Sequence, residues 1–395
     1  MKILRITSIG FEGGGSDNGI ILVDKVLRRM GHTVKILTSN LRSDLPHFSD
    51  FEFKALDYQP HVLKLFYRSF YPNSYFALRK VLKEYQPDIV QLHTMSQVSP
   101  SVLFLLKKYP TVMTIHGAED FTPSLLLWSF PKTCFKDDQY KLSGLNFSGW
   151  LHYVYHRYIN GAIYRFGFRI VDLFIVFSQY MKNLMKVDHI ESVCVPNATK
   201  LFEYEPIDLH SNLIAYVGRI EKFKGVQYLI ESMLNIIRTY PDIRLNIAGT
   251  GPYENQLKLL TKELGIESHV NFLGHLNREQ LHDLYRHLKI LIVPSVWPEP
   301  FGKVGIEAMS LGRPVIASDV GGMSEWLVDC ETGYLVPPEN SSAIADKVIK
   351  ILSTPGMLQE MSVNARSRAL DFDIERHVEK ILRLYKEVIE GYAQK

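Results

Sequence analysis

The sequence predicts an α/β protein of two doubly wound domains, each a parallel sheet with helices on both faces. Three observations predict it. A chain of 395 residues exceeds what a single hydrophobic core usually supports. Short β-branched and apolar runs alternate with amphipathic stretches at helical spacing, the pattern of parallel strands joined by crossover helices. The alternation stops at a polar, proline-containing stretch, PNATKLFEYEPIDLHSN, and then starts again.

In the first half KILRIT reads as a strand, GIILVDKVLRRM as a helix closed by Gly31, and TVKILT as the next strand. DIVQLH, VLFLLKKY, TVMTIH, DLFIVFS, QYMKNLMK and SVCVP continue the alternation. In the second half LIAYVGRI, IRLNIAG, VNFLG and ILIVPS are strands, and GVQYLIESMLNIIRTY, ENQLKLLTKELG and REQLHDLYRHL are helices between them. The expected domains are residues 1–205 and 206–372, with 373–395 a C-terminal helix packing back towards the first domain.

Composition narrows the class. The 46% apolar and 22% charged content is that of an ordinary soluble globular protein. No apolar run reaches bilayer-spanning length, and MKILRITSIGFEGGGS lacks the apolar core of a signal peptide, so the mature chain is expected to start at Met1. Cys134, Cys194 and Cys330 lie far apart without metal-ligand spacing, which suggests reduced, structural thiols and a cytoplasmic location. Charge is unevenly divided. Residues 1–205 hold 24 Lys/Arg and 18 Asp/Glu, net +6, and residues 206–395 hold 21 and 24, net −3.

Ligands of doubly wound sheets sit beyond the carboxyl ends of the strands, so the loops there hold the candidate chemistry. After the first strand comes FEGGGSDNG, whose glycines allow backbone N–H groups to cradle an anion, although glycine turns also serve as plain connections. RIEKFKG sets Arg219 and Lys224 before a helix, against the usual dipole preference; a bound anion would resolve the conflict, and a solvated basic turn is the alternative. In WPEPFGKVGIEAMSLG a Pro/Gly turn leads into a helix, and N–H groups around Phe301, Gly302, Lys303 and Val304 would suit a phosphate. Glu299 and Glu307 flank that helix start. Carboxylates repel phosphate but accept hydrogen bonds from vicinal hydroxyls, so the spacing suits a nucleotide sugar lying across the helix start.

The combination EPFGKVGIEA, GRIEKFKG, EGGGSDNG, PNAT, AGTGP and VGGMSE resembles the retaining glycosyltransferases of family 4, from Met1 to about Leu370. The resemblance implies the GT-B fold, two facing Rossmann-like domains with a cleft between them. It implies a hexose-type transfer from a nucleoside diphosphate donor to a sugar or lipid-linked hydroxyl acceptor, as in polysaccharide or glycolipid biosynthesis. By the resemblance Arg219 and Lys224 neutralise the departing diphosphate, Glu307 holds the ribose, Glu299 contacts the hexose, and the amides of Phe301 to Val304 seat sugar and phosphate. Gly14 and Gly15 close over the diphosphate, and His116, in TIHGAED, faces the reacting sugar. His93 is left outside catalysis, and Ser178 and Asn197 are read as a helix cap and a turn residue. The motif departs from the family at Ala198, where glycine is usual, and the aromatic segment from Phe121 to Arg169 matches only loosely.

No metal or other cofactor is expected, since the two cations carry the charge and no DxD-like motif is present. No nucleic-acid partner is expected. The basic and aromatic stretch HVLKLFYRSFYPNSYFALRKVLKEY is either a helix pair with a solvated face or a surface for peripheral contact with anionic membrane. Two alternatives to transfer stay open: a hydrolysing nucleotide-sugar epimerase and a non-catalytic nucleotide-sugar binding protein.

Overall fold

The computed structural model describes residues 1–11, 15–59, 66–117, 155–187 and 189–394. The chain forms two compact units, Met1–Pro196 with His377–Lys395, and Asn197–Arg376. The sequence reading placed these boundaries at 205/206 and 372/373. The difference has a backbone cause. Thr199 N–H donates to Phe372 O and Ile374 N–H to Thr199 O, both at 3.2 Å, so the stretch from Asn197 is tied to the second unit.

The first unit runs β1 (Lys2–Ile9), α1 (Gly15–Arg29), β2 (Thr33–Ser39), β3 (Phe51–Phe53), α2 (Pro72–Tyr85), β4 (Ile89–Leu92), a 3₁₀ helix at Pro100–Lys108, β5 (Thr111–Ile115), α3 (Gly161–Phe168), β6 (Leu173–Val176), α4 (Gln179–Val187) and β7 (Ser192–Cys194). Its strands are parallel in the order β3-β2-β1-β4-β5-β6-β7. Central strands are buried along their whole length, as IVQL and TVMTI show, because helices cover both faces.

The second unit runs β8 (Leu213–Val217), α5 (Val226–Thr239), β9 (Arg244–Ala248), α6 (Glu254–Glu263), β10 (Val270–Gly274), α7 (Arg278–His287), β11 (Ile290–Val293), α8 (Lys303–Ser310), β12 (Val315–Ser318), β13 (Gly333–Val336), α9 (Ser341–Ser353) and α10 (Met357–Ala369). Its strands are parallel in the order β10-β9-β8-β11-β12-β13.

The last helix, α11 (Ile374–Ala393), lies in the first unit from His377 onward. It buries Val378, Ile381 and Tyr385. The Tyr385 hydroxyl donates to Gln91 Oε1 on β4, the oxygen that also accepts from Arg5 Nε at 2.9 Å. Arg5 is itself buried in β1 and pairs with Asp24 of α1. A buried cation persists only where its donors are matched, and here one carboxylate, one amide and the Ile20 carbonyl match them.

Candidate active site

In each sheet the strand order turns once, at β1/β4 and at β8/β11, and the loops beyond these strand ends are where such sheets hold ligands. In the second unit the two loops are fastened to each other. Phe223 O accepts from the N–H groups of Val296 (2.9 Å) and Trp297 (3.1 Å), and the Phe223 and Trp297 rings pack at 5.7 Å. Gly225, at φ +73°, lets the chain pass so close to Pro294 O that a Cβ would stand 1.9 Å from it.

This fastening delivers Lys224 to Glu299. Lys224 Nζ lies 2.5 Å from Glu299 Oε1, and Ser295 Oγ–H donates to the same oxygen at 2.8 Å. Glu299 is buried, and its carbonyl accepts from Gly322 N–H at 2.8 Å. Both side-chain donors converge on Oε1, which leaves Oε2 to accept from a ligand. Arg219 makes no hydrogen bond or ion pair with Lys224 or Glu299. It is exposed and bonds Glu221 Oε1 at 2.8 Å. Each cation thus has a carboxylate partner within the chain, a second resolution of the charge conflict that the sequence raised.

Helix α8 starts at Gly302 without a side-chain cap. Its first turn rests on an indole: Trp326 is fully buried, donates Nε1–H to the carbonyl of buried Phe301, and lies where a Cβ on Gly305 would be 2.1 Å from its ring. Lys303 and Val304 form the half-buried first turn. One turn along, Glu307 Oε1 accepts from Thr199 Oγ1 and Oε2 from Tyr285 O–H, both at 3.3 Å. Burial, and then the Glu307 carboxylate beside it, push the Tyr285 hydroxyl well above its ordinary pKa, so it stays a donor. Tyr285 is held in turn by Arg313, which is fully buried and donates to the carbonyls of Tyr285 (2.8 Å) and Arg286 (2.7 Å) near the end of α7 and to that of Glu205 (3.0 Å) in the stretch before β8. With one protein donor per oxygen, the Glu307 carboxylate is fixed and keeps lone pairs for two hydroxyls.

In the first unit Gly15 opens α1, and Gly14 lies outside the described residues. His116 follows β5. Its Nε2 shares a hydrogen bond of 2.9 Å with His93 Nδ1, and Phe177 packs edge-on against it at 5.1 Å. Ser178 Oγ accepts from Met181 N–H at 3.2 Å and caps α4, the role read from the sequence, and Asn197 Oδ1 accepts from Ala198 N–H at 2.9 Å. Cys330 is a free thiol, and Cys134 lies outside the described residues. Ser295, Thr199, Tyr285, Trp326 and His93 are the additions to the sequence-derived set. Of these, Thr199 lay in a motif that had drawn attention, PNAT, and His93 had been weighed and left outside catalysis.

His93 also sets a pH dependence. Burial, and then the charge of Arg5 and the neighbouring His116, lower its pKa well below the ordinary 6.5. The unfolded chain therefore binds a proton below pH 6.5 that the folded chain refuses. Stability is fully present above that value and is lost as pH falls through it. Between pH 7.5 and 5.5 this one group is expected to remove on the order of 1 kcal/mol, to be read as the difference in urea unfolding free energy between wild type and His93→Gln. An equal pH response in both proteins would show that His93 titrates normally.

Two family models together match residues 13–368 of the chain. One, described as Glycosyltransferase Family 4, matches residues 13–200; the other, Glycosyl transferases group 1, matches residues 197–368. The chain belongs to this glycosyltransferase family. An uncharacterized glycosyltransferase of Methanocaldococcus jannaschii is 35% identical over 179 residues, 45% of each chain. The chain spans about half the length of the curated relatives it matches. Among solved structures, a sucrose-phosphate synthase from Thermosynechococcus elongatus aligns over 99% of this chain and 100% of its own, with TM-score 0.78 and 22% identity. HepE of Anabaena, solved in complex with UDP and glucose, covers 98% and 100% with TM-score 0.70 and 19% identity. These likenesses establish the GT-B fold, two parallel Rossmann-like sheets.

Proposed function

We propose that this glycosyltransferase moves a hexose-type sugar from a nucleoside diphosphate to a hydroxyl acceptor, with retention of anomeric configuration and without a metal. One arrangement carries the reading: Lys224 paired to Glu299 just ahead of an uncapped helix start, with Glu307 locked one turn along it. The Anabaena neighbour was solved with UDP and glucose, which supports a nucleotide sugar as donor. On this reading Glu307 accepts from the ribose hydroxyls, the backbone from Phe301 to Val304 seats the phosphate and sugar, Glu299 Oε2 accepts from the hexose, and Gly14 and Gly15 line the diphosphate. His116 faces the transferred sugar.

In front-face substitution the bond between the anomeric carbon and the diphosphate oxygen breaks. The acceptor oxygen bonds on the same face, and its proton passes to the departing phosphate oxygen. Negative charge grows on the leaving group, and preorganised cations that bind it more tightly as it grows lower the barrier. Lys224 has three N–H donors, so it can hold Glu299 and still reach an anion. A thermal-shift screen against nucleotide sugars tests the donor, since a ligand at a hundredfold its Kd stabilises by about 2.7 kcal/mol. Proton NMR of the product tests retention. Product formed from the donor with no acceptor present would mark a hydrolysing epimerase instead, and binding without turnover would mark a sensor.

The two carboxylates are expected to separate by ligand. Glu307→Gln should weaken binding of free UDP, because the ribose is in that molecule. Glu299→Gln should spare UDP and weaken only UDP-glucose. A hydrogen bond to a charged acceptor is worth about 1.5–3 kcal/mol, so each loss should be at least tenfold in Kd by calorimetric titration. Equal losses for both variants with both ligands would show the division of ribose and hexose to be wrong.

The acceptor side carries a second part of the proposal, peripheral contact with anionic lipid. Along the stretch singled out in the sequence, Tyr71 belongs to the core and Tyr67 is half-buried, whereas Phe66, Phe70 and Phe76 are exposed. On α2 the exposed Phe76, Arg79, Lys80 and Lys83 recur at positions i, i+3, i+4 and i+7, one face of the helix, opposite the buried Leu78, Val81 and Leu82. Lys64 lies outside the described residues. Among the described residues no helix is long and apolar enough to cross a membrane. Each basic side chain near anionic headgroups contributes about 1 kcal/mol, screened by salt. Co-sedimentation with phosphatidylserine vesicles should therefore weaken in high salt and fall several-fold when Arg79, Lys80 and Lys83 are changed to Ser. A protein that stays in the supernatant under every condition would leave this face as ordinary surface.

A further inference from the structure

His93 and His116 stand just beyond the ends of β4 and β5, neighbouring parallel strands of the first sheet. His93 is held from both sides. Its N–H donates to Ile6 O at 2.8 Å, and its ring, 2% exposed, meets His116 through Nδ1. Its other ring nitrogen, Nε2, is buried and has no partner among the described residues. A neutral imidazole carries one N–H, so the shared bond has two forms. If His116 donates, the proton of His93 sits on Nε2 as a buried N–H with nothing to receive it. If His93 donates, Nε2 keeps only a bare lone pair. Orphaned buried N–H groups are the rarer fault in folded proteins, so the second form is the more stable. A third form, with His93 charged, places an imidazolium in a buried site close to the Arg5 cation and is disfavoured by both burial and charge.

We infer that His93 is a positioning residue: it donates Nδ1–H to His116 Nε2 and thereby holds His116 in the tautomer that carries its proton on Nδ1. The consequence rests on the reading that His116 faces the transferred sugar. The bond to His93 takes up the Nε2 lone pair, and Phe177, edge-on at 5.1 Å and 72°, fixes the ring plane. In that tautomer Nδ1 of His116 carries the N–H, a donor that cannot act as a base. Held in this form, His116 does not take a proton from the acceptor, in keeping with a transfer in which the leaving phosphate receives it.

The tautomer can be read directly. In the full chain labelled with ¹⁵N-histidine, long-range ¹H–¹⁵N correlation spectra distinguish Nδ1–H from Nε2–H imidazoles, and the signals absent from His116→Gln identify His116. Wild type is expected to show His116 as the Nδ1–H form. In His93→Phe, which removes the donor, His116 is expected to shift towards the Nε2–H form that free histidine favours in water. In His93→Gln, whose amide N–H can replace the lost donor, the Nδ1–H form should return. His116 found as Nε2–H in wild type would overturn the inference without any variant, and so would an unchanged Nδ1–H signal in a folded His93→Phe. The spectra need no substrate, so a wrong donor assignment and a wrong tautomer would be told apart.

Discussion

Lys224→Ala is expected to lower turnover by on the order of a hundredfold or more, the loss that follows removal of a preorganised charge aimed at a leaving group. The structure adds a second effect. Lys224 is also the cationic partner of buried Glu299, so its removal leaves that carboxylate with Ser295 as its remaining side-chain donor. A drop in unfolding midpoint should therefore accompany the drop in rate. Arg219→Ala separates the two effects. Arg219 is exposed and bonded only to Glu221 among the interactions described for its side chain, so its loss should depress turnover similarly while leaving the midpoint nearly unchanged. Steady-state kinetics on purified variants, with UDP-glucose as first donor, supplies the rates and urea unfolding the midpoints. Near-normal turnover in both variants would overturn the assignment. Complete loss of wild-type activity in EDTA, restored by a divalent metal, would count against transfer driven by these cations alone.

Trp326→Ala is expected to have the largest effect on stability, about 3–5 kcal/mol, the range for deleting a fully buried aromatic side chain. The indole fills the space beneath the first turn of α8 and bonds the carbonyl of Phe301. Its removal leaves a cavity under the segment proposed to seat phosphate and strands a buried carbonyl. Calorimetric binding of UDP should weaken along with the unfolding midpoint. Trp326→Phe keeps much of the packing but not the hydrogen bond, and should fall between the two. A Trp326→Ala protein that unfolds like wild type would mean that α8 is held by its other contacts.

Much of the architecture was legible because its signals are local. A strand such as ILIV or TVMTI declares itself by an apolar run, and α1 ends where Gly31 adopts φ +84°. Among the elements that the sequence reading passed over, β13 and α9 carry plain local patterns, whereas β3 is three residues long and α10 has a poorly segregated apolar face. The extent of the 3₁₀ helix at Pro100–Lys108 was likewise invisible, since apolar residues at helical spacing do not report the hydrogen-bond pattern.

For the site the division follows from sequence distance. Arg219, Lys224, Glu299 and Glu307 could be picked from motifs because each stands in a short strand-to-helix loop or at a helix start, where residue type and spacing carry the chemistry. Their partners could not. Glu307 is fixed by Thr199, 108 residues away, and by Tyr285, 22 residues away in a helix whose pattern reads as ordinary amphipathic surface. Lys224 meets Glu299 across 75 residues, and His93 meets His116 across 23. The sequence by itself determined the two parallel sheets, the loops at their carboxyl ends and the charged side chains those loops display, because periodicity and turn chemistry act over a few residues. Only the tertiary structure decided which carboxylate oxygen is taken, which hydroxyl holds it and which histidine touches which. Those choices depend on strand order, which brings β8 beside β11 and β4 beside β5, and strand order is a property of the packed sheet that no local pattern encodes.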